Sequence, residues 1–312
     1  MRESRGGRTG FAGLCLVLVM LFAAEARAQD MEPRRWTHLP LGLDVAGLGL
    51  GAIDGDIFFD PVVRIEDATF ELYILGSSFV RTFEWLGKSS RIDFRLPYGY
   101  GRWEGLINGE DVSVRRHGPL DPHIRLSVNL YGAPPLKGQA YLRYRAEHPV
   151  TTTVGAALAV TLPLGEYYAD RLINLGGNRY VVSPQLGVLH QRGPWQFELT
   201  TSLSLFEDNN EFFADTRLEQ DPLGFVQLHA IRSLARGMWG SVSTGFSYGG
   251  EASIDGVPKD NDQRTRYFAL SFGLPLSPQQ SVKVSYVNAE TNVLLGTSSD
   301  SLLLSWSLAW SK

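Results

Sequence analysis

The sequence predicts an all-β chain: a closed transmembrane antiparallel β-barrel of about 12 strands, with short periplasmic turns and longer extracellular loops. Three observations predict it. The chain opens with an export signal. The rest is built from period-two segments with one apolar face and one small, polar face. The links between those segments largely alternate between long and short.

Composition allows this fold and disfavours others. The 312-residue chain is 44% hydrophobic and 20% charged, with a net charge of −4. Such a chain buries enough apolar surface to fold, and it lacks the basic surplus of a nucleic-acid binder.

The first ten residues carry Arg2, Arg5 and Arg8, and the apolar run FAGLCLVLVMLFAA follows. That run is too short to span a bilayer comfortably, and Ala26–Ala28 reads ARA, a small-x-small cleavage site. Residues 1–28 therefore read as a cleaved secretory signal peptide and 29–312 as an outer-membrane barrel; an uncleaved anchor helix is the alternative. Cys15, the one cysteine, lies within the signal, and the bulky Leu14 before it does not suit a lipoprotein site. The chain after Ala28 thus has no disulfide or cysteine metal site. No later apolar stretch approaches the length of a transmembrane helix.

The strands follow in order. Leu41–Leu50 and Ala68–Phe83 are strand-like, but their phase is mixed. In RIDFRLPYGY, Ile92, Phe94, Leu96, Tyr98 and Tyr100 oppose Arg91, Asp93, Arg95 and Gly99. In DPHIRLSVNLY, Ile124, Leu126, Val128 and Leu130 oppose Arg125, Ser127 and Asn129. Val154–Leu162 alternates apolar residues with Gly155, Ala157, Ala159 and Thr161, and Leu186 and Val188 oppose Gln185 and Gly187. PWQFELTTSLSLF sets Trp195, Phe197, Leu199, Leu203 and Leu205 against Gln196, Glu198, Thr200, Ser202 and Ser204. Val226 and Leu228 oppose Gln227 and His229; Val242, Phe246 and Tyr248 oppose serines and Gly245. Phe268–Leu276 and Val282–Tyr286 repeat the pattern, with Lys283 and Ser285 on the polar side of the second. The last segment, SLLLSWSLAWSK, closes the count at an even number, as bacterial single-chain barrels require.

Short links fall at Glu84–Ser89, Gln191–Pro194, Ala235–Gly237 and Ser277–Gln279. Long ones fall at Gly51–Asp67, Arg102–Leu120, Gly165–Gly177, Glu207–Asp221 and Gly249–Arg264. Ala133–Pro149 breaks the alternation: it is a long link where a periplasmic turn belongs, and GQAYLRYRA within it suits a short helix. A soluble β-sandwich also alternates, but its outer face meets water and would carry many Lys, Glu and Arg. Here that face is mostly Ser, Thr, Gly, Ala and Gln, which suits a confined lumen.

Several long blocks resemble one outer-membrane family: RLSVNLYGAPPL, VTLPLGEYYADRLINLGGNRYVVSPQLGV and FEDNNEFFADTRLEQDPLGFVQLH. DIFFDPVVRIEDA and VRTFEWLGKSSRIDFRLPYGYGRWEG fit it as well. The chain is similar to the transporters assigned to the MetA pathway of phenol degradation. The resemblance implies an outer-membrane barrel in a Gram-negative bacterium and a role in moving aromatic compounds. Barrels of this kind commonly end on an aromatic residue read by the barrel assembly machinery. Here Ser311 and Lys312 follow Trp310, which displaces that signal by two positions.

If the apolar faces meet lipid, the other faces line a lumen. About twelve strands tilted near 40° give a backbone radius of roughly 12 Å and a clear width of about 10 Å or less. The charges expected inside are Arg91, Asp93, Arg95, Arg125, Glu198, His229 and Lys283. Asn129, Gln185, Gln196 and Gln227 accompany them. They form either a constriction that sorts solutes or a set of mutually paired braces. Arg91, Arg95 and Arg125 are expected on one wall. The loop LINLGGNRY, Leu172–Tyr180, is apolar enough to fold inward or to pack on the rim.

No nucleophile elbow, zincin motif or paired histidine ligands occur, so no catalytic residue, metal or cofactor is expected. The acidic loops Glu207–Glu211 and Asp255–Asp262 lack EF-hand spacing, and Gly47–Gly55 lacks the helix that a nucleotide site needs. The leading expectation is a passive channel for small, aromatic or hydrophobic molecules, with lipid, solute and the assembly machinery as partners and no nucleic acid. The alternatives are a surface barrel whose loops bind a partner, and a barrel lipid hydrolase or protease.

Overall fold

A computed structural model of the chain describes residues 31–58, 65–107, 109–291, 293 and 296–311. The expected signal peptide (residues 1–28), its expected cleavage site and Lys312 lie outside these residues.

The wall is one antiparallel sheet closed on itself. Its strands are β1 (Leu43–Phe58), β2 (Ile65–Trp85), β3 (Lys88–Ile107), β4 (Glu110–Pro119) and β5 (His123–Tyr131). Then come β6 (Val150–Thr161), β7 (Val181–Arg192) and β8 (Trp195–Phe206). β9 (Asn209–Phe212) and β10 (Thr216–Gln220) leave the wall, and β11 (Leu223–Ser233) and β12 (Trp239–Gly249) return to it. β13 (Ala252–Ile254) and β14 (Val257–Pro258) join β9 and β10 in a separate four-stranded sheet. β15 (Gln263–Pro275), β16 (Gln280–Thr291) and β17 (Gly296–Ser311) complete the wall.

β1 pairs with β17 from Leu43↔Ser311 to Phe58↔Gly296 and β2 pairs with β3, so the ring closes, while β4 pairs with β3 alone. β3 pairs with β4 over Tyr98–Ile107 and with β5 over Ser90–Arg95. β4 and β5 therefore share one place in the wall, and the barrel has twelve strand positions, the expected number.

The faces alternate as expected. Along β8, Trp195, Phe197, Leu199, Leu203 and Leu205 are exposed, while Gln196, Glu198 and Thr200 are buried inside. On β1 the outward residues include Asp44, Leu48, Leu50 and Asp54. The span from Asp44 to Asp54 is about 33 Å of strand, or about 25 Å of height at a tilt near 40°. That matches the apolar band of an outer-membrane barrel. Asp44 pairs with Arg81 at 2.9 Å at the lower edge of the band, and Trp310 sits across from Asp44.

Trp85 and Lys88 are joined by Leu86 and Gly87, both at positive φ, as a two-residue hairpin turn requires. Two long links are largely strand instead of loop. Residues 102–120 form the upper β3–β4 hairpin, and β1 and β2 extend through much of 51–67. The 133–149 link does contain a helix, α1 (Gly138–Glu147), at the periplasmic end.

Candidate lumen site

Residues 31–42, ahead of β1, do not lie outside the barrel. They run up into it, and they are the part of the site that sequence reasoning missed. Met31, Arg35, Trp36 and His38 are all buried. Pro40 and Gly42 anchor the segment at the lower rim, where Thr82 Oγ1 donates to the Pro40 carbonyl and Gly42 N–H donates to the Thr82 carbonyl. At the upper end, Met31 packs with Tyr267, Ala269, Val287 and Ala289 on β15 and β16. A lumen expected to be about 10 Å wide is thus filled by its own chain.

All eleven expected residues face the lumen, and most of them hold this segment or brace one another. Glu198 accepts the backbone N–H groups of Arg35 at 3.1 Å and Trp36 at 3.5 Å. Glu32 ion-pairs with Arg95, with Lys283 at 3.4 Å and with Arg35 at 3.7 Å. Arg91 donates Nε to Asp93 at 3.0 Å, and Arg125 Nη1 lies 3.7 Å from the same carboxylate. Arg125 donates its Nε to Gln185 Oε1 at 2.8 Å. His229 directs Nε2 at Gln227 Oε1 and Nδ1 at Ser243 Oγ, at 2.9 and 2.7 Å. Gln196 bonds the side chain of Gln191 at 3.5 Å. Asn129 lines a small, water-sized polar cleft between the segment and the lower wall, with Arg35, Thr37, Ser90 and Arg91.

The wall is shaped for Trp36. Gly155 on β6 and Gly187 on β7 are cross-strand partners, and a Cβ on either would overlap the indole ring. Trp36 Nε1 donates to Thr200 Oγ1 at 2.8 Å, and the Arg125 guanidinium stacks 4.8 Å from the ring centroid.

At the periplasmic mouth, α1 grips the foot of the segment. Tyr141 donates its hydroxyl to the His38 carbonyl at 3.0 Å, and His38 Nε2 reaches the Pro134 carbonyl at 2.8 Å. Tyr141 and Tyr144 pack edge-on against the imidazole. Burial holds the His38 pKa below its ordinary value, and nearby Arg145 pushes the same way.

The upper lumen is apolar on one side. Ile53, Ile57, Phe70, Leu72, Ile74 and Trp103 from β1–β3 form a continuous cluster. Ile173 and Leu175 from the 162–180 loop pack against it, so that loop folds inward. Arg116 Nε holds the Ile173 carbonyl at 3.0 Å. Leu172 of the same loop packs on Phe212, Leu218, Ala252 and Ile254 of the four-stranded sheet at the outer mouth.

The family described as "Putative MetA-pathway of phenol degradation" matches residues 61–299. The chain belongs to this family. A solved structure similar to this member of the family is the COG4313 outer membrane channel from Pseudomonas putida F1. It is 18% identical with a TM-score of 0.72, over 89% of this chain and 99% of that one. The transport unit of the autotransporter AIDA-I from Escherichia coli is 6% identical with a TM-score of 0.51, over 99% of this chain and 100% of that one. No curated protein matches the chain. The fold shared with these barrels is that of the bacterial outer membrane.

Proposed function

We propose that this family member is a passive channel for small aromatic or hydrophobic molecules, with its N-terminal segment as the gate. One observation carries the reading: an apolar wall cluster, Ile53 to Trp103, stands above a narrow polar waist filled by the chain's own segment, which hydrogen bonds and ion pairs hold in place. Apolar solutes gain by leaving water for that wall, at about 25 cal/mol per Å² buried. Polar groups at the waist then limit size and charge. The family description and the channel named among its structural relatives point the same way. Planar-bilayer conductance and liposome swelling test the proposal, with neutral aromatics compared against benzoate-like anions. Flux of neutral aromatics is expected, and no flux from correctly folded protein would sink it.

The filled lumen favours one rival, a surface barrel that transports nothing and presents its four-stranded outer sheet to a partner. A chain that stays impermeable after removal of residues 31–41 would support that rival.

A further inference from the structure

The Trp36 slot has more binding capacity than Trp36 uses. Its floor is flat because Gly155 and Gly187 carry no side chain where the ring lies. Its rim offers an acceptor, Thr200 Oγ1, and a guanidinium, Arg125, that stacks on the ring. Arg125 is buried at 2% exposure, donates its Nε to Gln185 and faces Asp93 with Nη1 as an ion pair at 3.7 Å. Neither of its Nη groups makes a hydrogen bond to a protein atom. Buried donors are seldom left this way, because desolvation costs them without return. Indole cannot satisfy them: its ring N–H donates and it has no acceptor.

We propose that this slot is a solute site in which Trp36 is a tethered stand-in, displaced by a planar aromatic molecule bearing a hydroxyl. A phenolic oxygen both donates and accepts. It can give its proton to Thr200, as Trp36 does, and also receive from Arg125, which Trp36 cannot. The ring takes over the glycine floor, and the guanidinium turns from the ring face to the oxygen. Displacement frees the segment from the waist, so the same molecule that binds also opens its path. The choice of ligand class rests on the transport reading above; the existence of the slot does not.

The test uses the full barrel in lipid nanodiscs, with 4-fluorophenol and 4-fluorotoluene followed by fluorine NMR. Trp36→Ala empties the slot and is expected to bind 4-fluorophenol saturably, and 4-fluorotoluene about tenfold more weakly. Adding Gly187→Val refills the floor and should abolish both; it also subtracts partition into lipid. Thr200→Val in the Trp36→Ala background should narrow the preference for the phenol. If Trp36→Ala binds no better than its Gly187→Val derivative, the slot is not a site.

Heat-modifiable migration on a gel verifies folding of the variants. A second measurement uses the otherwise unaltered chain, with a spin label on Met31→Cys. 4-Fluorophenol is expected to mobilise the label, and 4-fluorotoluene to do so less at equal concentration. A label that stays immobile up to saturation overturns the displacement. If the slot binds phenol and the label moves, yet aromatics do not cross in the swelling assay, the transport reading fails and the site stands.

Discussion

Glu198 holds the backbone of Arg35: its carboxylate accepts that N–H at 3.1 Å, and the next one, from Trp36, at 3.5 Å. A strand residue thus grips the peptide chain that fills the lumen, whatever side chains that chain carries. An intramolecular hydrogen bond contributes about 0.5–1.5 kcal/mol net. Glu198→Ala is expected to weaken docking of the segment by about 1–2 kcal/mol. Single-channel recording should show a higher open fraction. A conductance unchanged from the parent would mean that the segment does not limit the pore.

Asp93 stands between two cations, Arg91 at 3.0 Å and Arg125 at 3.7 Å. Removing it leaves buried positive charge uncompensated, which typically costs about 3–5 kcal/mol. Asp93→Ala should therefore lower the unfolding temperature. It should also shift the reversal potential in a salt gradient toward anions. A cation-selective shift would contradict the lumen electrostatics described above.

His38 predicts a pH response at the periplasmic mouth. Buried between Tyr141 and Tyr144, with Arg145 nearby, its imidazole resists protonation, an effect the Pro134 carbonyl offsets only in part. The released segment would titrate near the ordinary value of about 6.5. Above that pH both forms are neutral and docking is at full strength. As pH falls through it, the released form takes up a proton that the docked form resists, so docking weakens. Conductance should rise between about pH 7.5 and pH 5.5. His38→Gln should flatten the curve; an unchanged profile would show that His38 does not control docking of the segment.

The C-terminal strand yields a prediction about biogenesis. Trp310 lies opposite Asp44 and 6.4 Å from the Phe79 ring, at the lower edge of the apolar band. Trp310→Ala should therefore slow folding of the barrel into lipid vesicles. An equal folding rate would show that this aromatic does not anchor the strand.

The barrel was legible in the sequence wherever a strand separates lipid from lumen. β8 is the clearest case: lipid demands Trp195, Phe197 and Leu199, the lumen demands Gln196, Glu198 and Thr200, and the period is unavoidable. Above the bilayer that demand lapses. The outward residues of upper β1 are Asp54 and Asp56, and the β3–β4 hairpin carries Arg102, Glu104, Glu110 and Asp111, so these strands read as loops. All eleven lumen residues could be placed by parity alone. What parity could not give was their partner. Met31–Pro40 has no period because it takes its form from the wall around it. The one clue was composition: a tryptophan between Arg35 and His38 in a stretch too polar for a strand and too short for a domain.

The segment joins β1 at Gly42, six residues from Trp36, so release does not mean departure. A ligand on so short a leash faces its site at an effective concentration of the order of millimolar. A competing solute of equal intrinsic affinity must match that figure, and a tighter one needs proportionally less. If a solute does displace the segment as proposed, the length of the leash sets the concentration at which it does so.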